Sequence, residues 1–336
     1  MKAVIWNYRF GDMRTTWKNQ FQWLVNSLHK NGVEVKVHKD FKCKGLENLS
    51  KYNHKKDNPC DICIYNHATI ANLVGNVVKA DQNWFFKPTV PDEYHTTLDT
   101  LGYGPYSSLT YQEPDFKNVE IGDFFDTKVK DWLKKRTSKF DNYLYHFKNK
   151  VQKVPFNDYF LIIGQCGGDE VVTKHDFGSY FVKLEQVIKE LVRISDRTVV
   201  VKLHPFTDGK DVDKIEFASS LKEKYEAISS KVKVYIGATN IHNFIEKAYC
   251  VLLANSGAGF ETMMHHKPII SWGYPEYHWI TYDLRHLVDL QRAIKLDWFN
   301  REESDKFLYW YMEEYCYYNQ ETCDRRVKDL INGLVN

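Results

Sequence analysis

Val199-Val200-Val201-Lys202-Leu203 is a run of strand-forming residues that stops abruptly at His204-Pro205. Val251-Leu252-Leu253-Ala254 stops in the same way at Asn255-Ser256-Gly257-Ala258-Gly259. Short, almost continuously apolar runs bounded by turn residues suit strands buried on both faces, as parallel sheets require. Between such runs the period changes. Tyr180 to Ile194 sets Leu184, Val187, Ile188, Leu191 and Val192 on one face of a helix, and Phe217 to Ser229 predicts another. Tyr159 to Gly164, Lys233 to Ile236 and Ile269 to Trp272 continue the alternation. Strand and helix in turn, with connections too long for hairpins, restrict the chain to α/β folds built on parallel sheets.

The first half carries the same punctuation. Residues 1–7 predict a strand, and Trp17 to Lys30 a helix closed by Asn31-Gly32. Val33 to Val37 and Asp61 to Tyr65 read as further strands, and Thr69 to Lys79 as a helix. Pro88 to Pro114, with Gly102, Gly104 and four prolines, predicts a long ordered loop region. Helices are expected over Glu302 to Tyr318 and Asp324 to Leu334. The division expected is a first Rossmann-like domain over 1–150, a second over 151–300, and C-terminal helices over 301–336.

At 336 residues and 43% hydrophobic composition the chain can bury a sizeable core, which excludes a disordered chain. No apolar run reaches the ~18 residues that span a bilayer, and the first residues read as a strand rather than a leader. Seven scattered cysteines fit a reducing compartment, so a cytoplasmic protein is expected, at most peripheral to the inner membrane face. Cys60-Asp61-Ile62-Cys63 has no second pair at zinc spacing and reads as buried apolar residues. The net charge of +2 hides an asymmetry: residues 1–153 hold 24 Lys and Arg against 17 Asp and Glu. The densest stretch runs from Lys128 to Lys153, nine basic residues against two acidic. It is either a solvated helix face or the part of the first domain that meets a polyanion.

Ligands of open α/β sheets sit beyond the carboxyl ends of the strands, so chemistry is sought at the tips. Proline ends the strand at His204 and presents the imidazole at the sheet edge. Lys202, two residues earlier, lies on the same side, giving a cationic pair. Asn255 to Gly259 is a glycine-rich turn opening a helix, where backbone N–H groups favour anions and Ser256 adds a hydroxyl. Glu261 falls in the first helical turn, as a ligand contact or a cap. No Gly-Lys-Ser/Thr follows, so this is not a Walker loop. A third tip, Gly164-Gln165-Cys166-Gly167-Gly168-Asp169-Glu170, offers Asp169 as base or nucleophile. In the first domain Arg9, Gly11, Asp12 and Arg14 follow the first strand, and Asn66-His67 the third. Asp211-Val212-Asp213 lies in a charged segment past its strand and is set aside as a metal site, so no metal is expected.

On these residues the chain resembles the bacterial capsule polysaccharide synthesis proteins that include the β-Kdo glycosyltransferases. The resemblance rests, in order, on Gly102-Tyr103, Gln165 to Asp169, Lys202-Leu203-His204-Pro205, and Asn255-Ser256 with Gly259-Phe260-Glu261, spanning roughly residues 95–275. The His-Pro and Asn-Ser pieces are also similar to the CMP-binding motifs of sialyltransferases. The resemblance implies a GT-B fold: two doubly wound Rossmann-like domains with a cleft between them. It implies that His204 and the serine turn hold the donor's phosphate and that Asp169 stands at the reaction centre. The donor side would comprise Gln165, Lys202, His204, Asn255, Ser256, Gly257 and Glu261, and the acceptor side Arg9, Asp12 and Tyr103. The expected activity is metal-independent transfer of a sugar from a CMP- or UDP-sugar co-substrate, with no further cofactor, to an anionic acceptor such as a surface glycan. Alternatives are a phage-type transferase acting on hydroxymethylated bases in DNA, a sugar-nucleotide epimerase of the same shape, and a non-catalytic binding protein.

Overall fold

The computed structural model describes residues 1–6, 15–38, 60–66, 82–89, 95–138, 154–167, 169–173, 180–204, 212–237 and 239–335. The chain forms two compact units. The first comprises Met1–Pro114 together with Tyr309–Asn336, and the second Asp115–Leu308. The first unit therefore ends well ahead of the boundary expected near 150, and the last residues belong to it.

The first unit begins with β1 (Lys2–Trp6), α1 (Thr15–Lys30), β2 (Glu34–His38), β3 (Ile62–Asn66), β4 (Gln82–Pro88) and β5 (Thr96–Asp99). Its sheet runs β2-β1-β3-β4-β5, parallel except for the antiparallel pair β4 and β5. Ile5, Ile62, Ile64, Trp84, Phe86 and Leu98 from the strands close on Phe21, Leu24 and Leu28 of α1. The sequence predicts loop where β5 lies. Four residues set between prolines show no periodicity, and only pairing with Phe85 to Pro88 makes them a strand. The predicted helix over Thr69 to Lys79 lies outside the described residues.

The second unit opens with a π-helical turn over Phe125–Val129 running into α2 (Lys130–Lys135). There follow β6 (Tyr159–Ile163), α3 (Glu170–Thr173), α4 (Tyr180–Ile194), β7 (Val199–Lys202), α5 (Val212–Glu226) and β8 (Val232–Tyr235). Then come α6 (His242–Ile245), β9 (Ala248–Leu253), α7 (Ala258–Met264), β10 (Ile269–Ser271), β11 (Tyr282–Asp283), α8 (Leu290–Ala293) and α9 (Arg301–Trp310), which carries the chain back to the first unit. All the strands are parallel, in the order β11-β10-β9-β6-β7-β8. Every residue of β6 and β7 is buried, as expected for strands covered on both faces. α4 buries Leu184, Val187, Ile188 and Leu191 of the predicted stripe, while Val192, at its edge, is half-buried. α5 begins at Val212, five residues ahead of the predicted start.

The chain ends in α10 (Gln320–Val335), packed on α1 of the first unit. Cys323, Val327 and Ile331 join that unit's core. Ser27 Oγ donates to Asp324 Oδ1 at 2.5 Å and Lys30 pairs with Asp324 at 2.6 Å. Among the described residues no helix is long and apolar enough to cross a membrane.

Candidate active site

Renumbered from its own first strand, the second sheet runs 3-2-1-4-5-6, the order of dinucleotide-binding sheets. The order reverses between β6 and β9. Crossover helices on either side of that point leave in opposite directions, so the crevice for a ligand opens beyond the tips of these two strands. Gln165 follows the tip of β6 and Asn255 the tip of β9, while Lys202 ends β7 and His204 lies just past it. The three motifs read from the sequence are thus brought to one edge of one sheet. Gly164 makes the approach possible, because a Cβ there would stand 3.1 Å from Leu203 Cα and 3.2 Å from Lys202 O.

Gln165 and Asn255 hold the switch point together. Gln165 Nε2 donates to Asn255 Oδ1 at 2.8 Å, and the Asn255 backbone N–H donates to Gln165 Oε1 at 2.9 Å. Asn255 Nδ2 donates to Val171 O at 2.6 Å and to Gly273 O at 3.1 Å. The Gln165 N–H donates to the Tyr180 hydroxyl at 2.8 Å. Both amides are buried and engaged within the protein, as buried amides must be. Their geometry is that of a clamp fixing the Asp169 loop and the Ser256 turn to one another. The sequence indicates Gln165 and Asn255 but not Tyr180, which lies fifteen residues along the chain on the first turn of α4.

Lys202 and His204 differ from the expected cationic pair. The Lys202 ammonium is buried and donates to Leu203 O at 2.7 Å and Gly237 O at 2.5 Å, joining the ends of β7 and β8. Burial, then the charge of Lys202, pull the His204 imidazole down to about 4, against a smaller opposing pull from Asp169. At neutral pH the ring is therefore uncharged. Cys166 Sγ lies 3.3 Å from His204 Nδ1. Asp169 is exposed, and its Oδ1 accepts the Val171 N–H at 3.3 Å at the start of α3.

The turn after β9 also divides its labour differently from the expectation. Ser256 is half-buried, and its Oγ accepts the Ala258 N–H at 3.3 Å. Gly257 is exposed. Gly259 serves packing rather than a ligand, because a Cβ there would stand 2.2 Å from the Tyr277 hydroxyl and ring. Tyr277, fully buried, donates that hydroxyl to Ser256 O and so pins the turn from beneath. Glu261 is buried, and its Oε1 accepts from Ser138 Oγ at 3.0 Å. His242 lies close by, with Nδ1 2.8 Å from His265 Nε2 and Nε2 2.8 Å from Thr137 O. These contacts fasten Thr137 and Ser138 to α6 and α7.

Tyr103 belongs to the first unit, is buried, and has Lys87 Nζ 3.4 Å from its ring centroid. Arg9, Asp12 and His67 lie outside the described residues, as does the basic stretch beyond Ser138. One residue of that unit escaped the sequence reading. Asp99 is fully buried and accepts from the backbone N–H groups of Leu101 (2.7 Å) and Gly102 (2.9 Å). The N–H and hydroxyl of Ser108 and the Tyr315 hydroxyl (2.7 Å) also donate to it. Gly102 follows the loop at φ 149, where a side chain would be strained. Among the described residues no group of three or more His, Cys, Asp or Glu is placed to hold a metal ion.

The family model described as "Capsule polysaccharide biosynthesis protein" matches residues 120–319. No curated protein matches the chain by sequence at a significant level. Among solved structures the chain is similar to KpsC of Thermosulfurimonas dismutans, beta Kdo 2,4 transferase, with a TM-score of 0.54 and 17% identity over 100% of this chain and 98% of that one. It is also similar to the beta Kdo 2,7 transferase of the same protein, with a TM-score of 0.50 and 13% identity over 98% of this chain and 100% of that one. At such identities the likeness shows the fold, which is GT-B.

Proposed function

The chain belongs to the capsule polysaccharide biosynthesis protein family, and from that premise we propose that it is a glycosyltransferase carrying a sugar from a CMP- or UDP-activated donor to an anionic surface glycan. The observation that carries the proposal is the coincidence at the switch point of the second sheet. The segments after β6, β7 and β9 carry Asp169, His204 and Ser256 at one edge of that sheet, and Gln165 and Asn255 tie the first of these segments to the third.

In this reading the donor's phosphate lies against the tips of β7 and β9. The His204 imidazole, neutral at working pH, gives it one hydrogen bond, and the Ser256 hydroxyl and Gly257 N–H give others. The Lys202 charge, fixed just behind, favours the negative charge that builds on the phosphate as the bond to the anomeric carbon breaks. Asp169 serves the other partner. If configuration inverts, it takes the proton of the acceptor hydroxyl as that oxygen bonds to the anomeric carbon. If configuration is retained, its carboxylate first displaces the nucleotide and bonds to the anomeric carbon, and the acceptor oxygen then displaces the carboxylate and gives its proton to the released phosphate. Glu261, held by Ser138, is proposed to support the turn rather than touch the donor. Tyr103, Arg9 and Asp12 remain proposed acceptor contacts of the first unit. Kdo, the sugar in the names of both structural neighbours, is the first donor sugar to try.

The test is release of free nucleotide from CMP- and UDP-sugars with and without an acidic glycan acceptor. Acceptor-dependent release is expected. Asp169→Asn should slow it by about 10²-fold or more, the usual contribution of a positioned acid or base. His204→Ala should cost about 10²- to 10³-fold, the range for removing a donor to developing charge. Unchanged transfer in both variants would remove this site assignment.

A further inference from the structure

Cys166 has no part in the chemistry above, yet its sulfur lies 3.3 Å from His204 Nδ1. Both residues are half-buried at the tips of adjacent strands, β6 and β7. Their separation is fixed at both ends. Gly164 N–H donates to Lys202 O at 2.8 Å, locking the two backbones in register, and Gln165 is clamped to Asn255. On the other side of Cys166, the Asp169 N–H donates to the Cys166 carbonyl at 3.0 Å, closing the loop into a turn. The thiol is thus set against one particular nitrogen of the ring.

A neutral imidazole has one N–H and one bare nitrogen, and the partner at one nitrogen decides which is which. A thiol is a weak donor and a weaker acceptor, whereas a bare imidazole nitrogen accepts well. The favourable arrangement is S–H donating to Nδ1, which leaves the hydrogen on Nε2. We infer that Cys166 is a positioning residue that holds His204 in its Nε2–H form, so that the ring offers a hydrogen-bond donor, not an acceptor, to the donor phosphate. The opposite tautomer would turn a lone pair toward an anion. The inference rests on the reading of His204 as a phosphate contact. Among the described residues, Lys202 from its own strand and Asp169 from the loop after β6 act on the charge state of the ring, which burial keeps neutral. Neither charge singles out a nitrogen, whereas the thiol stands against Nδ1.

The test is nitrogen-15 NMR of the full chain labelled at histidine, with the His204 signal assigned by its loss in His204→Gln. At pH 7.5 the wild type should carry its hydrogen on Nε2. Cys166→Ala should shift the ring toward the Nδ1–H form, and Cys166→Ser, whose hydroxyl also donates, should restore the wild-type ratio. Titration of CMP and UDP gives an independent readout. Cys166→Ala should weaken nucleotide binding by about two- to tenfold, the scale of one hydrogen bond, and Cys166→Ser should recover most of it. A wild-type ring protonated on Nδ1, or a tautomer ratio indifferent to Cys166→Ala, overturns the inference even if nucleotide binds. Absence of nucleotide binding in the wild type instead removes the reading on which it rests, since the NMR result is obtained without ligand.

Discussion

Asn255 makes four hydrogen bonds through its amide and backbone N–H, to Gln165, Val171 and Gly273, and none of these partners is near it in sequence. Alanine keeps the backbone N–H bond to Gln165 Oε1 but takes away the partner of buried Gln165 Nε2 and of the Val171 and Gly273 carbonyls. The expected cost is about 1–3 kcal/mol of stability for each buried group left unsatisfied, read by urea denaturation. Nucleotide affinity should fall as well, since both turns lose their common anchor. Retention of full stability would mean that the clamp is not formed. At this scale the sequence was partly legible. A strand that ends in Asn-Ser or His-Pro announces a tip, so Asn255, Ser256 and His204 could be picked out. Tyr180, Tyr277 and Ser138 could not, because their roles exist only through partners 15, 21 and 123 residues away. Asp99 escaped for the same reason. It looks like an ordinary loop acid until the chain around Gly102 and Ser108 folds over it.

Elements reveal themselves through periodicity, and those that pack on both faces did so best. β6 and β9 are apolar throughout, β7 is apolar up to its closing Lys202, and α4 shows its buried stripe, so the sequence locates all four. β5 and β11, of four and two residues, carry no pattern and depend on neighbours for their existence. The glycines at the start of α7 show how a correct location can carry a wrong cause. A glycine pair at a strand tip suggests close approach of a ligand, yet Gly259 is kept small by the Tyr277 ring. Gly259→Ala should therefore destabilise the chain by about 1–3 kcal/mol through overpacking, detectable as a lowered denaturation midpoint without any nucleotide present. A stability loss seen only as weakened nucleotide affinity would return Gly259 to the ligand.

Over the whole molecule, the two-unit plan was legible from the repeated alternation of strand and helix, but its boundaries were not. The chain leaves the first unit at Pro114 and returns at Tyr309, and a sequence that crosses between units without a linker composition gives no mark of it. Acid stability is a property at this scale. Burial pulls His204 down to about 4 and His265 to about 3, with His242 also lowered. The unfolded chain binds protons at these positions from the ordinary histidine value near 6.5 downward, while the folded chain resists them. Stability is therefore complete above about pH 6.5 and declines as pH falls toward about 4, by up to ~1.4 kcal/mol per pH unit for each histidine. Denaturation at pH 7 and pH 5 should show the fall, and His265→Asn should reduce it. A flat profile would mean that these rings are protonated in the fold.

The central claim is that the switch point of the second sheet is a nucleotide site. Isothermal titration of CMP, UDP, GDP and dTDP against the wild-type chain and His204→Ala tests it most directly. One nucleotide should bind the wild type, and its affinity should fall about tenfold when the imidazole is removed, as for a hydrogen bond to a charged partner. Failure of all four to bind, or binding that is indifferent to His204, would contradict the account.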